Sequence, residues 1–398
     1  MPAIKKSKTE VAITKWTPPA IDAWDAGDDK DEIEPRQWLL GNTLCRGYIS
    51  ALIAPGGVGK TATAIAQALA FATTKEITGE HVFQRARVLY LSAEDSEEEL
   101  RRRVRAAMLY HQIDYEEVRG HLFMRAIGGE GWRLAEAANG EVTPAELSER
   151  ILAEIKAKKI DVVIIDPLIK AHGLDENSNS TMDFLATVLS VIASAGVALY
   201  FLHHARKGPA DPGNADQARG ASATVDAARL VYTMAPMTTD EAKKLGVDES
   251  ERRALIRLDS AKVNIAAAAP DASWYRLVGV PLGNSTPMYP NGDHVQTIEV
   301  WTPPHLFEGV GTAVVSAILA EIDKGIEGGG LYSDHNRAKG REAWKVVTKH
   351  LPDTTEAQAR EMLKRWIADG TLKTVTYKDE ANRRPRQGLR STAGEAAP

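Results

Sequence analysis

Four stretches of this chain put reactive residue types where chemistry on a phosphate would need them. The first is "APGGVGKT", residues 54–61. Gly56, Gly57 and Gly59 let backbone N–H groups turn inward toward an anion. The helix expected after them aims its positive N-terminal end at the same place. Lys60 can reach the β- and γ-phosphates of a nucleotide, and Thr61 can ligate Mg²⁺. The pattern is a P-loop with Ala54 in its first glycine position, and Val58 and Ala62 complete the nucleotide-contacting run.

The second stretch is "DVVIIDPL", in which Asp166 closes an apolar run where a carboxylate can hold the water shell of Mg²⁺. The third is "VLYLSAEDSEEEL", a strand-like run that delivers Glu94 and Asp95. A carboxylate there can orient or deprotonate an attacking water. Asp166 is followed by Pro167 and not by an acid, so the base role falls to Glu94. Asp95 is read as starting the next helix, whose N-terminus favours negative charge. The strand carrying Glu94 is expected beside the P-loop strand.

The fourth stretch, "VALYFLHHARKG", ends with His203 and His204. At least one should face the nucleotide, where a neutral imidazole can donate to the γ-phosphate and register its loss. Adjacent residues of a strand point to opposite faces, which argues against shared metal binding. Beyond them, "ARKGPADPGNADQARG" has loop texture, and Arg206 and Lys207 can contact strand phosphates or belong to a solvated connector. Trp38, in "PRQWLLGN", either stacks on adenine or packs the domain edge.

These residues need a scaffold, and the pattern supplies one. Apolar runs at 48–54, 87–93, 161–166, 197–203 and 229–235 read as buried parallel strands. Helical spacing fills the gaps between them, and Ser96 with Glu99 fits a capping box. Alternation of this kind predicts a doubly wound α/β domain with its ligand at the carboxyl ends of the strands. After Ala254, "ALIRLDSAK" and "SWYRLVGV" read as antiparallel edge strands, and "TPPHLFEG" has linker texture. Three helical segments, a strand and a basic hairpin follow, the pattern of a winged helix. Residues 371–390 carry Lys373, Lys378, Arg383, Arg384, Arg386 and Arg390 against Asp379 and Glu380, an excess that can grip a nucleic-acid backbone or remain a solvated wing.

Bulk composition narrows the classes. The 398 residues suggest two or three domains. Hydrophobic residues at 43% and charged residues at 26% are ordinary for a globular protein. A net charge of -5 confines nucleic-acid binding to local basic loops. Cys45 is the one cysteine, which excludes an intramolecular disulfide and a cysteine-based zinc cluster and suits a reducing cytoplasm. No apolar run is long enough to span a membrane.

Taken in order, "LIAPGGVGKT", "LYLSAED", "VVIIDPL", "FLHHARKG" and "ARGASATVDAARLVY" resemble the RecA-type ATPases, and more narrowly the RepA-type replicative helicases of plasmids and phages. The likeness covers roughly residues 36–280, with "TTDEAKKLGVDESERRALIRLDSAKVN" continuing it. It implies a ring, usually a hexamer, with ATP between subunits and single-stranded DNA through the centre. Lys60 and Thr61 would be the P-loop pair, Glu94 the catalytic base, Asp166 the Walker B residue and one of His203 and His204 the phosphate sensor. Arg229 would be an arginine finger, with Arg219 as second candidate and Lys262 as a third basic residue near the interface. Loops 170–181 and 205–218 would line the channel. There is a physical reason to expect a finger: cleavage builds charge on the γ-phosphate, and within the strand-end motifs only Lys60 is a cation to meet it.

The expected fold class is therefore α/β, a RecA-like P-loop core plus a C-terminal winged-helix-like α+β domain. The expected layout is an arm over 1–35, the ATPase domain over 36–300, a linker over 301–310, the winged-helix-like domain over 311–392 and a tail over 393–398. The expected function is a cytoplasmic, ATP- and Mg²⁺-dependent DNA helicase acting as a homo-oligomer on single-stranded DNA, with a replication partner for the C-terminal domain. An ATP-switched loader that does not unwind is the alternative. A small-molecule kinase is disfavoured, because no arginine-rich lid is visible.

Overall fold

The computed structural model describes residues 23–128, 132–138, 141–176, 178–205, 211–217, 222–267, 269, 271–304, 307, 310–335, 337–378 and 385–392. Of the described residues, those up to Arg36 and those from Gln37 onward fall into two separate units. The second begins with a short ribbon, β1 (Trp38–Leu40) and β2 (Leu44–Cys45). The phosphate-loop strand β3 (Ile49–Ala54) and helix α1 (Lys60–Thr73) follow. Next come β4 (Val88–Ser92), α2 (Glu97–Tyr110), α3 (Tyr115–Val118) and β5 (Leu122–Ala126). A hairpin, β6 (Ala135–Ala138) and β7 (Glu141–Pro144), leads into α4 (Glu146–Lys158) and β8 (Val162–Asp166). Helix α5 (Asn179–Ser194), β9 (Ala198–His204), α6 (Ser222–Ala227) and β10 (Leu230–Pro236) complete the alternation. Helices α7 (Thr239–Leu245) and α8 (Glu249–Arg252) then precede β11 (Leu255–Val263), β12 (Ser273–Pro281) and β13 (His294–Val300).

The long strands form one sheet in the order β13-β12-β11-β10-β3-β9-β8-β4-β5. From β10 to β5 every pairing is parallel. From β10 to β13 every pairing is antiparallel. The parallel strands are apolar on both faces because helices cover both. One core packs α1 and α2 against Leu52, Tyr90 and Ile164. The other packs α4 and α5 against Ile53, Val163 and Phe201. Between β3 and β9 the strand order reverses, and this is where an open α/β sheet leaves a crevice for its ligand.

Three sequence expectations change. Strand β4, which leads to Glu94, is not beside β3, since β9 and β8 lie between them. The α1 crossover carries the chain past two positions that later strands fill. Strands β11 and β12 are interior, because β13 ("HVQTIEV") takes the edge. The capping box of α2 is half formed: Ser96 accepts from the Glu99 amide at 3.2 Å, while the Glu99 carboxylate turns to Arg103 at 3.4 Å. Strand β5 is a sixth parallel strand, hidden in the sequence by the arginine that interrupts its apolar run.

The C-terminal part has a core of its own. Helices α9 (Thr312–Lys324), α10 (Ala343–His350) and α11 (Glu356–Ala368) and the hairpin β14 (Leu372–Lys378) with β15 (Pro385–Ser391) enclose Ile318, Val347, Leu363, Trp366 and Leu389. It meets the rest of its unit through α11 and α7: a Cβ at Gly246 would lie 2.3 Å from Nε2 of Gln358. Among the described residues no helix is long and apolar enough to cross a membrane.

Candidate active site at the carboxyl ends of the parallel strands

The loop between β3 and α1 uses two left-handed glycines, Gly57 (φ 78°) and Gly59 (φ 91°). Gly59 has a second reason to lack a side chain: a Cβ there would lie 2.7 Å from Leu277 of β12. The first amide to enter the α1 ladder is that of Thr63, which donates to the Gly59 carbonyl at 2.9 Å. The amides of Lys60, Thr61 and Ala62 are thereby left for an anion. The side chains of Val58 and Ala62 pack into the core, so only their backbone can serve a ligand.

Lys60 is 7% exposed. Its ammonium donates to the carbonyls of Ala54 (2.9 Å) and Pro55 (3.2 Å) and lies 3.0 Å from Nδ1 of His204. Ala54 thus contributes a carbonyl at the position where the motif commonly has glycine. Burial lowers the Lys60 pKa to about 8, and the negative charges of Asp166 and Glu94 work against that fall.

Asp166, the last residue of β8, is 4% exposed. Its Oδ2 accepts from the hydroxyl of Thr61 at 2.7 Å and from that of Tyr90 at 2.6 Å. Burial raises its pKa, and the two hydroxyl donors and Lys60 hold the rise in check. The hydroxyl of Thr61 and the carboxylate of Asp166 fit Mg²⁺, which takes oxygen ligands and few protein groups. Among the described residues no three His, Cys, Asp or Glu side chains gather as a metal cage.

Glu94 still reaches the cluster although its strand is remote from β3. Its Oε1 lies 3.5 Å from Nε2 of His204, and its side chain is about half exposed. His204 therefore stands between Lys60 and Glu94. His203 points to the other face, 1% exposed, with Nε2 3.9 Å from Oε1 of Glu176. His172 lies in the same neighbourhood, and burial, with His203 adding, lowers its pKa to about 4. Of the two histidines, His204 is the one beside the phosphate loop. Asp95 pairs with Arg103 at 2.7 Å, which leaves it a structural acid at the start of α2.

Several residues lie elsewhere. Trp38 packs against the core, in a ribbon paired with Cys45. Ser50 binds the carbonyl of Thr43 in that ribbon, at the amino end of β3. Trp38 is thus at the opposite end of the strand from the phosphate loop of its own chain, and it packs the domain edge. Arg229 is also at that end: its amide donates to the carbonyl of Ile49, the first residue of β3, and its side chain is exposed. Lys262, on the neighbouring strand β11, donates to the carbonyl of Asp226 at 2.8 Å. Arg386 is on β15, opposite Tyr377. Arg206, Lys207, Arg219, Arg383 and Arg384 lie outside the described residues.

Sequence reasoning missed Tyr90. The available signal was a phenol inside the apolar run "VLYLS", since a buried tyrosine hydroxyl usually finds a partner.

A family model described as an AAA domain matches residues 16–210. That span holds the phosphate loop, Tyr90, Glu94, Asp166 and both strand-end histidines. With the parallel sheet and its strand-end cluster, the match supports a P-loop ATPase. The antiparallel strands β11 to β13 and the C-terminal part lie beyond the matched residues.

Proposed function

We propose that the chain is an ATP-hydrolysing, ring-forming DNA motor: a replicative helicase of a plasmid, phage or integrated mobile element that translocates on single-stranded DNA. The supporting observation is a separation of charges. Lys60, Thr61, Glu94, Asp166 and His204 meet at the carboxyl ends of the strands. Arg229 and Lys262 are at the amino ends, about 16 Å away along β3 at the usual rise per residue. Arg103 is held by Asp95 and Glu99. A leaving γ-phosphate calls for more positive charge than Lys60 offers. A head-to-tail ring lets the neighbour supply it, because unlike faces meet at each interface.

In this reading Lys60 and the loop amides hold the phosphates, and Thr61 and Asp166 hold Mg²⁺. Bound Mg²⁺ neutralises phosphate charge. Glu94 positions the attacking water and accepts its proton. His204, in contact with both Lys60 and Glu94, registers loss of the γ-phosphate. Arg229 of a neighbour is the first candidate for the finger, with Arg219 as the second. The proposed layout is arm 1–35, ATPase domain 36–300, linker 301–310, winged-helix-like domain 311–392 and tail 393–398.

The separate C-terminal core and its basic hairpin favour one other reading, an ATP-switched loader that grips DNA through Arg383, Arg384 and Arg386. A strand-displacement assay decides between the two. A helicase displaces a strand with ATP, and both Lys60→Ala and the Arg206→Ala/Lys207→Ala double variant lose displacement. Wild-type protein that hydrolyses ATP on single-stranded DNA yet never displaces a strand fits the loader and contradicts the helicase.

A further inference from the structure

We propose that Tyr90 is a positioning residue for the Asp166 carboxylate, presenting one of its oxygens to the water shell of Mg²⁺. The proposal rests on the ATP–Mg²⁺ reading of the site. Strands β4 and β8 are parallel neighbours, with Tyr90 opposite Ile164 and Ser92 opposite Asp166. The side chain of Tyr90 spans that two-residue offset, and its hydroxyl donates to Oδ2 of Asp166 at 2.6 Å. Thr61 donates to the same oxygen at 2.7 Å. Both donors load Oδ2, and among the described residues no hydrogen bond is made to Oδ1. One carboxylate oxygen is therefore anchored and the other is available.

The anchor is built to last through the reaction cycle. Tyr90 is fully buried. Thr61 has two duties, as a donor to Asp166 and as a Mg²⁺ ligand, whereas Tyr90 has one. Glu94 lies four residues on from Tyr90, two past the end of that strand. The phenol thus fastens the strand leading to the candidate base to the carboxylate that would hold the metal.

The test uses the full chain and the Tyr90→Phe variant, which removes one oxygen and keeps the ring. Binding of a fluorescent ATP analogue is measured in EDTA and across a Mg²⁺ titration, and Mn²⁺ binding to the nucleotide complex is followed by electron paramagnetic resonance. Circular dichroism and thermal unfolding establish that the variant folds. The account expects unchanged nucleotide binding in EDTA and about a tenfold higher Mg²⁺ or Mn²⁺ requirement, the usual effect of removing a residue that orients a metal ligand. In an Asp166→Asn background the same substitution should add almost nothing. An unshifted metal requirement overturns the proposal, and so does an equal loss of binding in EDTA, which marks a structural role. Wild-type binding that ignores Mg²⁺ overturns the ATP–Mg²⁺ reading itself, and the Tyr90 role with it.

Discussion

The two ends of the parallel sheet treat their polar residues in opposite ways. At the carboxyl ends, Lys60 and Asp166 are nearly excluded from water and tied to each other's neighbours through Thr61, Tyr90, His204 and Glu94. At the amino ends, Arg229 is exposed and Lys262 meets only a backbone carbonyl among its described hydrogen bonds. Burying a cation and a carboxylate is costly unless each is satisfied, so the first end is a preorganised site within one chain. An exposed arginine costs little, and among the described residues no hydrogen bond or ion pair engages the Arg229 side chain. In the proposed reading, one end holds the nucleotide and the other offers a cation to a different copy.

That contrast can be broken from either side. Lys60→Ala removes the cation that binds the loop carbonyls of Ala54 and Pro55 and should abolish nucleotide binding or reduce hydrolysis by at least about 10³-fold, measured as ATP turnover. Substantial residual turnover would mean that the buried end is not the active one. Arg229→Ala should leave nucleotide binding near wild type and lower turnover by about 10³-fold, in the range of a lost arginine finger. Unchanged turnover would move the role to Arg219 or Lys262. Glu94→Gln should keep binding and lower turnover by about 10²- to 10³-fold. Full turnover would remove Glu94 as the base.

The smallest effect is on pH. The folded pKa of Lys60 is lowered to about 8 from 10.5. Nucleotide binding should therefore weaken as pH rises through 8, as the ammonium loses its proton beside Asp166, Glu94 and His204. Stability responds with the opposite sign. Between pH 8 and the unfolded value the unfolded chain binds more protons, so this group's contribution to stability increases with pH. Titration of nucleotide binding from pH 7 to 9 checks the first, and thermal unfolding over a wider range checks the second. Binding that stays flat through pH 8 would show that Lys60 remains charged there.

Much of the buried end was legible in the sequence. The glycine spacing of 56–59 sits between a wholly apolar strand and an alanine-rich helix, and Asp166 closes another apolar run. Both signals are local. The rest was set at longer range. The position of β4 three places from β3 depends on which strands fill the crossover, which no short pattern records. His203 and His204 are equivalent by spacing, and only the facing of β9 separates a buried imidazole from one beside Lys60. By sequence Trp38 is equally open to stacking on adenine or packing the domain edge, and only the ribbon's place at the amino end of β3 separates the two. Strands β5 and β13 mix charged and apolar residues and gave too weak a period to register.

The claim that one copy finishes the site of another has a direct test. Lys60→Ala and Arg229→Ala proteins, each inactive alone, are mixed and reassembled with single-stranded DNA, with assembly followed by mass in solution and hydrolysis by phosphate release. A finger acting across the interface predicts that the mixture regains hydrolysis, because Lys60→Ala subunits lend Arg229 to neighbours with an intact phosphate loop. A mixture that assembles yet stays as inactive as its parts would contradict the account.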